Sequence, residues 1–211
     1  MLDFARRWLF PVVCLGCGRP DVALCAGCRP PAELQFRFSL DHLAVTAIAP
    51  YTGLWRRAIV AMKSGERAYL EAFAETLRER APQRSMIVPV PTTRRRIAAR
   101  GFDQVGEIAG RWAGSRVVPA LRKVAGRPQH GLPRAGRLSL RGRFAVAEPA
   151  RLERGEAVLF DDVCTTGATL RDAAHALRSA GVRVAGAIVL AAPSRNAFEI
   201  PAYRMGTGGN L

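Results

Sequence analysis

Two adjacent acids and a hydroxyl-rich turn follow an apolar run in the last third of the chain. Val158-Leu159-Phe160 leads into Asp161 and Asp162, and a helical pattern begins a few residues later. The turn that precedes this helix comprises Thr165, Thr166, Gly167, Ala168 and Thr169. Ligands of parallel sheets bind at the carboxyl ends of the strands, so this segment is the first candidate for a binding site.

The turn is suited to a phosphate monoester. Free backbone amides and the helix dipole favour an anion at the start of a helix, the threonines add hydroxyl donors, and Gly167 permits a close backbone approach. Asp161 and Asp162 would repel that phosphate, so we expect them to face hydrogen-bond donors or a cation beside it. Ribose hydroxyl groups meet this requirement. An ordinary strand-to-helix corner is disfavoured, because two charged acids at a strand end are costly without a ligand.

Four of the five cysteines form two Cys-x-x-Cys pairs. They are Cys14, Cys17, Cys25 and Cys28, with glycines beside them. Two such pairs supply the four thiolates that zinc prefers, and four thiolates leave no open coordination position. We therefore expect a structural zinc ion, in a segment that folds only with its metal. Two disulfides or a redox pair are the alternatives, but neither a secretory context nor a thioredoxin-like pattern surrounds the motif.

The apolar run, the Asp-Asp pair and the Thr-Thr-Gly-x-Thr turn resemble the signature of type I phosphoribosyltransferases, which bind phosphoribosyl pyrophosphate (PRPP). The resemblance implies that Asp161 and Asp162, the candidate catalytic residues, contact the ribose 2′ and 3′ hydroxyl groups. It also implies that residues 165–169 wrap the 5′-phosphate and that Mg²⁺ accompanies PRPP.

Further motifs resemble the ComF family, competence-associated proteins that join a zinc module to a phosphoribosyltransferase-like domain. These motifs are Pro89-Val90-Pro91, Arg94-Arg95-Arg96, residues 100–104, Gln129, Arg137 and the four paired cysteines. The implied fold is α/β, with a parallel-sheet type I phosphoribosyltransferase-like domain and a small N-terminal zinc module built on the four cysteines.

By this resemblance, residues 90–96 form the loop that receives the pyrophosphate. An arginine-dense loop suits PRPP, which carries about five negative charges. The candidate anion-binding residues are Val90, Pro91, Arg94, Arg95, Arg96, Arg100 and Lys63. Lys63 is one of two lysines in the chain, and its position before Ser64-Gly65 is also typical of a solvated helix end.

Strands and helices alternate along the chain, which predicts a parallel α/β sheet. Apolar runs predict strands over 43–49, 86–91, 115–119, 157–160 and 182–192, and helical spacing predicts helices over 54–62, 67–80, 104–112 and 169–180. We expect a cysteine module over 1–32, a main domain over 33–193 and a flexible tail over 194–211. A linker is predicted over 32–41, and an exposed, mobile connection over the Gly-, Pro- and Arg-rich residues 126–143.

The length of the chain indicates how many domains it has, and its charge indicates what kind of partner it binds. At about 150 residues per domain, the 211 residues suggest one main domain with a small appendage. The net charge is +15, and residues 94–143 contribute thirteen basic and two acidic side chains. This excess predicts a polyanionic partner, although arginine-rich usage also follows from composition bias. No run approaches the roughly 18 apolar residues of a membrane span, so we expect a cytoplasmic protein.

Two functions compete. The first is an enzyme linked to competence and DNA uptake, which transfers phosphoribosyl groups from PRPP to an unidentified nitrogen acceptor with Mg²⁺. The second is a non-catalytic protein that binds single-stranded DNA with the arginines of 94–143, with steep salt dependence, and whose pocket senses PRPP or is a relic. Partners expected under these hypotheses include proteins of the DNA-uptake machinery and further copies of the chain.

Overall fold

The computed structural model describes residues 12–81, 85–124, 143–147 and 156–194. Within these ranges the strands are β1 (Phe36–Leu40), β2 (Leu43–Pro50), β3 (Met86–Pro89), β4 (Leu121–Lys123), β5 (Phe144–Val146), β6 (Ala157–Val163) and β7 (Val184–Ala192). The helices are α1 (Gly53–Lys63), α2 (Tyr69–Arg80), α3 (Arg94–Arg100), α4 (Gln104–Ala113) and α5 (Ala168–Ser179). The predicted connection over 126–143, with Gln129 and Arg137, and the predicted tail over 194–211 lie almost entirely outside the described residues.

Five of these strands form one sheet in the order β1-β2-β7-β6-β3. Strands β2, β7, β6 and β3 are mutually parallel, and β1 pairs antiparallel with β2. Strands β4 and β5 form a separate antiparallel ribbon. The predicted α/β class is confirmed to this extent: the architecture is mixed, with a mostly parallel central sheet. Parallel strands are buried on both faces, which explains the continuous apolar runs of β6 and β7.

One face of the sheet is covered by α1, α2, α4 and the cysteine segment, which share a hydrophobic cluster. Trp55 of α1 stands edge-on to Phe73 of α2, with ring centroids 4.8 Å apart. Its indole Nε1 donates a hydrogen bond to the backbone oxygen of Leu190 in β7 at 2.7 Å. Leu24, beside the second cysteine pair, is fully buried in the same cluster. These contacts join the cysteine segment to the helices that lead into the candidate site.

The other face carries α5 and the β4–β5 ribbon. Alternation along β6 divides its side chains between the two faces: Phe160 packs in the first cluster and Leu159 in the second. Phe144 of the ribbon is fully buried against this second cluster. None of the helices described is long and apolar enough to cross a membrane.

Most predicted elements are confirmed to within three residues at each end, but two predictions are wrong. The linker predicted over 32–41 contains a 3₁₀ turn and strand β1, which pairs with β2 along its whole length. The strand predicted over 115–119 begins as a 3₁₀ turn over Gly114–Arg116 and then makes a single bridge from Val117 to Ile87. The pairing does not continue, because the Ala120 amide donates to the Val118 backbone oxygen at 2.8 Å instead and Pro89 of β3 has no amide hydrogen.

Candidate functional site

The candidate site is a cavity of about 290 Å³ at the carboxyl ends of three parallel strands. Tyr51 follows β2, Val90 follows β3, and Asp161 and Asp162 lie at the end of β6. The amide of Val90 donates to the backbone oxygen of Phe160 at 2.8 Å, which continues the β3–β6 pairing one residue beyond β3. Sheet topology therefore brings together acids and loop residues that are some 70 positions apart in the sequence.

Nine of the predicted site residues line this cavity. They are Lys63, Val90, Pro91, Arg96, Arg100, Asp161, Asp162, Thr165 and Thr169. Thr166, Gly167 and Ala168 belong to the same turn but are not part of the cavity wall. Arg94 and Arg95 are exposed residues of α3 and also lie outside it. Residues 94–96 were predicted as loop, but they form the first turn of α3, where the Thr93 hydroxyl accepts a hydrogen bond from the Arg96 amide at 3.3 Å.

The acid at the end of β6 that is more deeply buried, Asp162, is held on both carboxylate oxygens. Its Oδ2 lies 3.1 Å from the Lys63 Nζ and accepts a hydrogen bond from the Gln104 Nε2 at 3.4 Å. Its Oδ1 accepts from the backbone amide of Val163 at 2.6 Å. Asp162 therefore has a counter-ion and a fixed orientation within the protein itself.

The neighbouring acid, Asp161, has a different environment. Its Oδ1 accepts a hydrogen bond from the Asp162 backbone amide at 2.8 Å, but no basic side chain forms an ion pair with it among the described residues. Burial, followed by the negative charge of Asp162, raises the pKa of Asp161 to about 8. The raised pKa favours the neutral carboxyl group, which can donate as well as accept a hydrogen bond.

Three basic side chains in the cavity wall lack an acidic partner. Arg96, Arg100 and Lys123 make no hydrogen bond or ion pair through their side chains with any described residue. Lys123 is partly buried, and this burial, together with the nearby charges of Arg96 and Arg143, lowers the pKa of its ammonium group. Like charges that gather in a cavity without acidic partners create a site for an anion.

The turn between β6 and α5 approaches the side chain of Leu40 in β1 closely at Gly167. This residue adopts a φ of +76°, and a Cβ atom there would lie 2.4 Å from the Leu40 Cδ1. The helix then begins at Ala168, whose amide donates to the Thr166 hydroxyl at 3.5 Å. The positive φ favours glycine here, and a larger residue would also have to displace the end of the half-buried Leu40 side chain.

Six residues of the cavity wall were not among the predicted site residues. They are Tyr51, Thr92, Gln104, Val105, Lys123 and Val163. Gln104 belonged to a noted motif, but its contact with Asp162 spans 58 positions and has no local signal. Lys123 did have a signal, because it is the only lysine besides Lys63 in a chain rich in arginine.

The four paired cysteines form a second site, outside the cavity wall. All four sulfur atoms lie within 4.8 Å of one another and could hold a metal ion. The Cys17 and Cys25 sulfurs are 3.7 Å apart, close to the edge of a tetrahedron with Zn–S bonds of about 2.3 Å. A Cβ atom at Gly16 would lie 2.6 Å from the Cys28 sulfur, so glycine is needed for this turn. The donor set and its spacing fit a closed, tetrahedral metal site.

Backbone amides prepare this sulfur cluster for a metal. Burial raises the pKa of the Cys14 thiol, but hydrogen bonds led by those from the Cys25 and Cys17 amides outweigh it and lower that pKa to about 6. The Cys25 amide lies 3.4 Å from the Cys14 sulfur. The fifth cysteine, Cys164, is buried at the start of the turn after β6, and its burial raises the pKa of its thiol to about 11. A buried thiol with a raised pKa is typical of a packing residue.

Comparison with known proteins assigns the chain to no group. No family model matches the sequence, and no curated protein matches it significantly.

Proposed function

We propose that the cavity at the carboxyl ends of β2, β3 and β6 binds PRPP, and that the protein is a phosphoribosyltransferase of the ComF type. The observation that carries the proposal is the charge arrangement of this one cavity. One cavity wall holds an acid pair, two threonines of the threonine- and glycine-rich turn, and three unpaired basic side chains. PRPP presents the complementary pattern, with a ribose diol between a phosphate monoester and a diphosphate.

The parts of the cavity suit the parts of this ligand. The hydroxyls of Thr165 and Thr169, with the first amides of α5, would bind the 5′-phosphate. The carboxyl groups of Asp161 and Asp162 would bind the ribose hydroxyl groups, and the raised pKa of Asp161 favours a protonated carboxyl that can serve as donor or acceptor there. Arg96, Arg100 and Lys123 would bind the diphosphate.

We expect Mg²⁺ to bind together with PRPP. Asp162 already has Lys63 as its counter-ion at 3.1 Å, so the oxygens that suit the ion are those of the diphosphate itself. When bound, Mg²⁺ would neutralise charge on the leaving pyrophosphate. The protein residues bind and orient the ribose and the two phosphate ends.

The reaction that fits this arrangement is displacement at the ribose C1. The bond from C1 to the pyrophosphate oxygen breaks with its electron pair leaving on oxygen, a nitrogen acceptor forms the new bond to C1, and the acceptor nitrogen loses a proton. The basic side chains at the diphosphate end stabilise the charge that develops on the leaving group. The proposal includes a structural role for zinc at the four cysteines, since their sulfur spacing supports a closed site.

Calorimetric titration of the zinc-loaded protein with PRPP and Mg²⁺ tests the proposal. We expect saturable binding, and we expect the double variant Asp161→Asn/Asp162→Asn to weaken it by about a hundredfold or more, because two ligand-facing groups change. The matched control is Glu33→Gln/Glu66→Gln, which removes two exposed acids outside the cavity and is expected to bind like the parent protein.

A pyrophosphate-release assay with pooled nucleobases and amines then tests turnover. Release that depends on an acceptor would establish a transferase. Binding without release would favour the non-catalytic alternative, in which the pocket senses PRPP in a DNA-binding protein. Equal PRPP affinity in the parent and the double aspartate variant, or no binding by either, would overturn the proposed site.

A further inference from the structure

One aromatic side chain lies at the end of the cavity that is farthest from β3. Tyr51 directly follows β2, and its backbone amide donates to the Ala192 oxygen at the end of β7 at 2.8 Å. Tyr51 is the only aromatic residue among the described residues of the cavity wall. The binding of PRPP proposed above does not involve this ring, so its place in the cavity calls for a second ligand.

The order of the strands determines where Tyr51 lies relative to the acid pair. Strands β2, β7, β6 and β3 are neighbours in that order, so the end of β2 lies two strand spacings, or roughly 10 Å, to one side of the end of β6. On the other side, one strand spacing away, Val90 follows β3 and its amide bonds to the Phe160 oxygen. Asp161 and Asp162, at the end of β6, therefore lie between Tyr51 and Val90 along this edge of the sheet.

This order matches the direction of a displacement at the ribose C1. The nucleophile must approach C1 from the side opposite the leaving group. In the proposed complex the acid pair binds the ribose, and Arg96, Arg100 and Lys123 bind the diphosphate. Both arginines belong to α3, the helix that follows β3. The nucleophile would therefore enter from the β2 side of the acid pair, where Tyr51 lies.

The surroundings of Tyr51 suit a flat ring. The half-buried Tyr51 side chain packs against the same hydrophobic cluster as Val105 and Val163, and both of these valines also line the cavity. The exposed Arg56 guanidinium lies 5.7 Å from the Tyr51 ring centroid and supports the ring from outside the cavity wall. Aromatic rings stack on such a surface, whereas ammonia or a neutral aliphatic amine has no ring face with which to stack.

We propose that Tyr51 forms the acceptor subsite, and that the acceptor is an aromatic ring that carries the nucleophilic nitrogen and stacks on the Tyr51 side chain. The inference rests on the proposed PRPP site, and it names the class of the second substrate and a residue that selects it. In the reaction, the electron pair of this nitrogen forms the bond to C1, the bond from C1 to the pyrophosphate oxygen breaks, and the proton of the nitrogen passes to solvent.

The experiment measures acceptor-dependent pyrophosphate release from PRPP with Mg²⁺. The aromatic probes are adenine, uracil and anthranilate, and the aliphatic probes are ammonia, methylamine and glycine. Tyr51→Phe retains the ring, and Tyr51→Leu replaces it by an apolar side chain without one. Phe36→Leu is the matched control, since Phe36 is a half-buried aromatic residue outside the cavity wall.

Two binding measurements accompany the assay, after circular dichroism has verified the fold of each variant. Calorimetry measures the affinity of each protein for PRPP with Mg²⁺. It also measures the affinity for the aromatic probes of protein loaded with inorganic pyrophosphate and Mg²⁺, which requires no turnover. If Tyr51→Leu fails to fold, Tyr51→Met takes its place, because methionine is also apolar and adapts to irregular packing.

We expect the parent to release pyrophosphate with at least one aromatic probe and with none of the aliphatic ones. Tyr51→Leu should raise the KM for that probe about tenfold or more, as for the loss of one stacking side chain, whereas Tyr51→Phe and Phe36→Leu should stay within about threefold of the parent. All four proteins should bind PRPP alike.

Four results would overturn the inference: aliphatic probes that react as well as aromatic ones, aromatic probes that are neither bound nor used, equal KM values in the parent and Tyr51→Leu, or a loss of PRPP affinity in Tyr51→Leu. The last result would assign Tyr51 to the PRPP site itself. Failure of the parent to bind PRPP would instead overturn the proposed function.

Discussion

The Asp161 carboxyl group connects the stability of the protein with its ligand site. It is half-buried beside the charge of Asp162, and the ammonium of Lys63 is paired with Asp162. Both features favour the protonated carboxyl group in the folded protein, and its ionisation as the pH rises costs stability. Residues that are unfavourable for folding and suitable for a ligand are typical of functional sites.

Because ionisation of Asp161 lowers stability, the stability of the Asp161→Asn variant should depend on pH differently from that of the parent. The pKa of Asp161 is raised from 3.8 to about 8 in the folded protein, so its contribution to stability is fully present below pH 3.8 and is lost as the pH rises through 8. Asparagine does not titrate. We therefore expect the variant to gain stability relative to the parent with rising pH, by at least about 1 kcal/mol at pH 8.5, or about 2–4 °C in Tm for a chain of this size.

Thermal unfolding of both proteins between pH 5 and 9 measures this difference. Asp172→Asn is the control, since Asp172 is a partly exposed acid that pairs with Arg143 at 2.7 Å. A difference between Asp161→Asn and the parent that stays constant with pH would contradict the prediction.

For the residues of the candidate site, the sequence indicated which residue types are present but not which side chains they contact. The acid pair, the threonine turn and the arginines near position 96 could be read from local order. The contacts of Asp162 with Lys63 and Gln104 could not, because those residues are 99 and 58 positions away and meet it only through the sheet. Lys123 was missed because it lies in a segment whose many arginines made one more basic residue look ordinary.

Among the elements, the corner from β6 to α5 lies in contact with β1. Gly167 combines a positive φ with the close approach of Leu40. Gly181 has a similar φ of +81°, but nothing would lie within 4 Å of a Cβ atom there. Alanine substitutions at these two glycines therefore separate the free-energy cost of the backbone conformation from that of the contact with Leu40.

We expect Gly167→Ala to lower the free energy of unfolding by more than Gly181→Ala, for which about 1–3 kcal/mol covers the backbone conformation alone. In a Leu40→Ala background, the cost of Gly167→Ala should fall to that of Gly181→Ala, because the methyl group then has space. Denaturant unfolding of the four variants measures this cycle. Equal costs of Gly167→Ala with and without Leu40 would show that the contact is unimportant.

Elements with strong apolar patterns were predicted, and those that depend on pairing were not. Strand β6 and helix α5 carry continuous local signals. Strand β1 follows two prolines and has only five residues, so it looked like a linker until its pairing with β2 was visible. Strands β4 and β5 have three residues each and pair across 20 intervening positions. Helix α3 begins with three arginines and has no buried residue, so no apolar spacing marked it.

At the scale of the whole molecule, the cysteine segment is part of the main hydrophobic core. Cys14, Leu24 and Cys25 lie in the same buried cluster as Trp55 and Phe73. Arg29 joins the segment to helix α2 through ion pairs with Glu75 and Glu79. The segment over 1–32 was expected as a module of its own, and its described residues are packed against α1 and α2.

This packing leads to a prediction for metal removal. A strong chelator at neutral pH should release one zinc ion per chain and lower Tm by about 10 °C or more in a single transition, since the free energy of metal binding supports the shared core. A red shift in tryptophan fluorescence should accompany the transition as Trp55 becomes exposed. Cys25→Ser should behave like the chelated protein, and Cys164→Ser like the parent. A separate early transition, with the main one unchanged, would contradict the shared core.

The position of β7 in the middle of the sheet also determines the order in which the molecule can be built during synthesis. Trp55 bonds to Leu190, 135 residues later, and β2 pairs with β7 from Val45↔Ala187 onward. Contacts of such long separation close slowly, and here they await translation of the last strand. Until then the cysteine segment and the β1–β2 hairpin emerge from the ribosome with their inner faces uncovered, and early metal loading and chaperone contact would protect them.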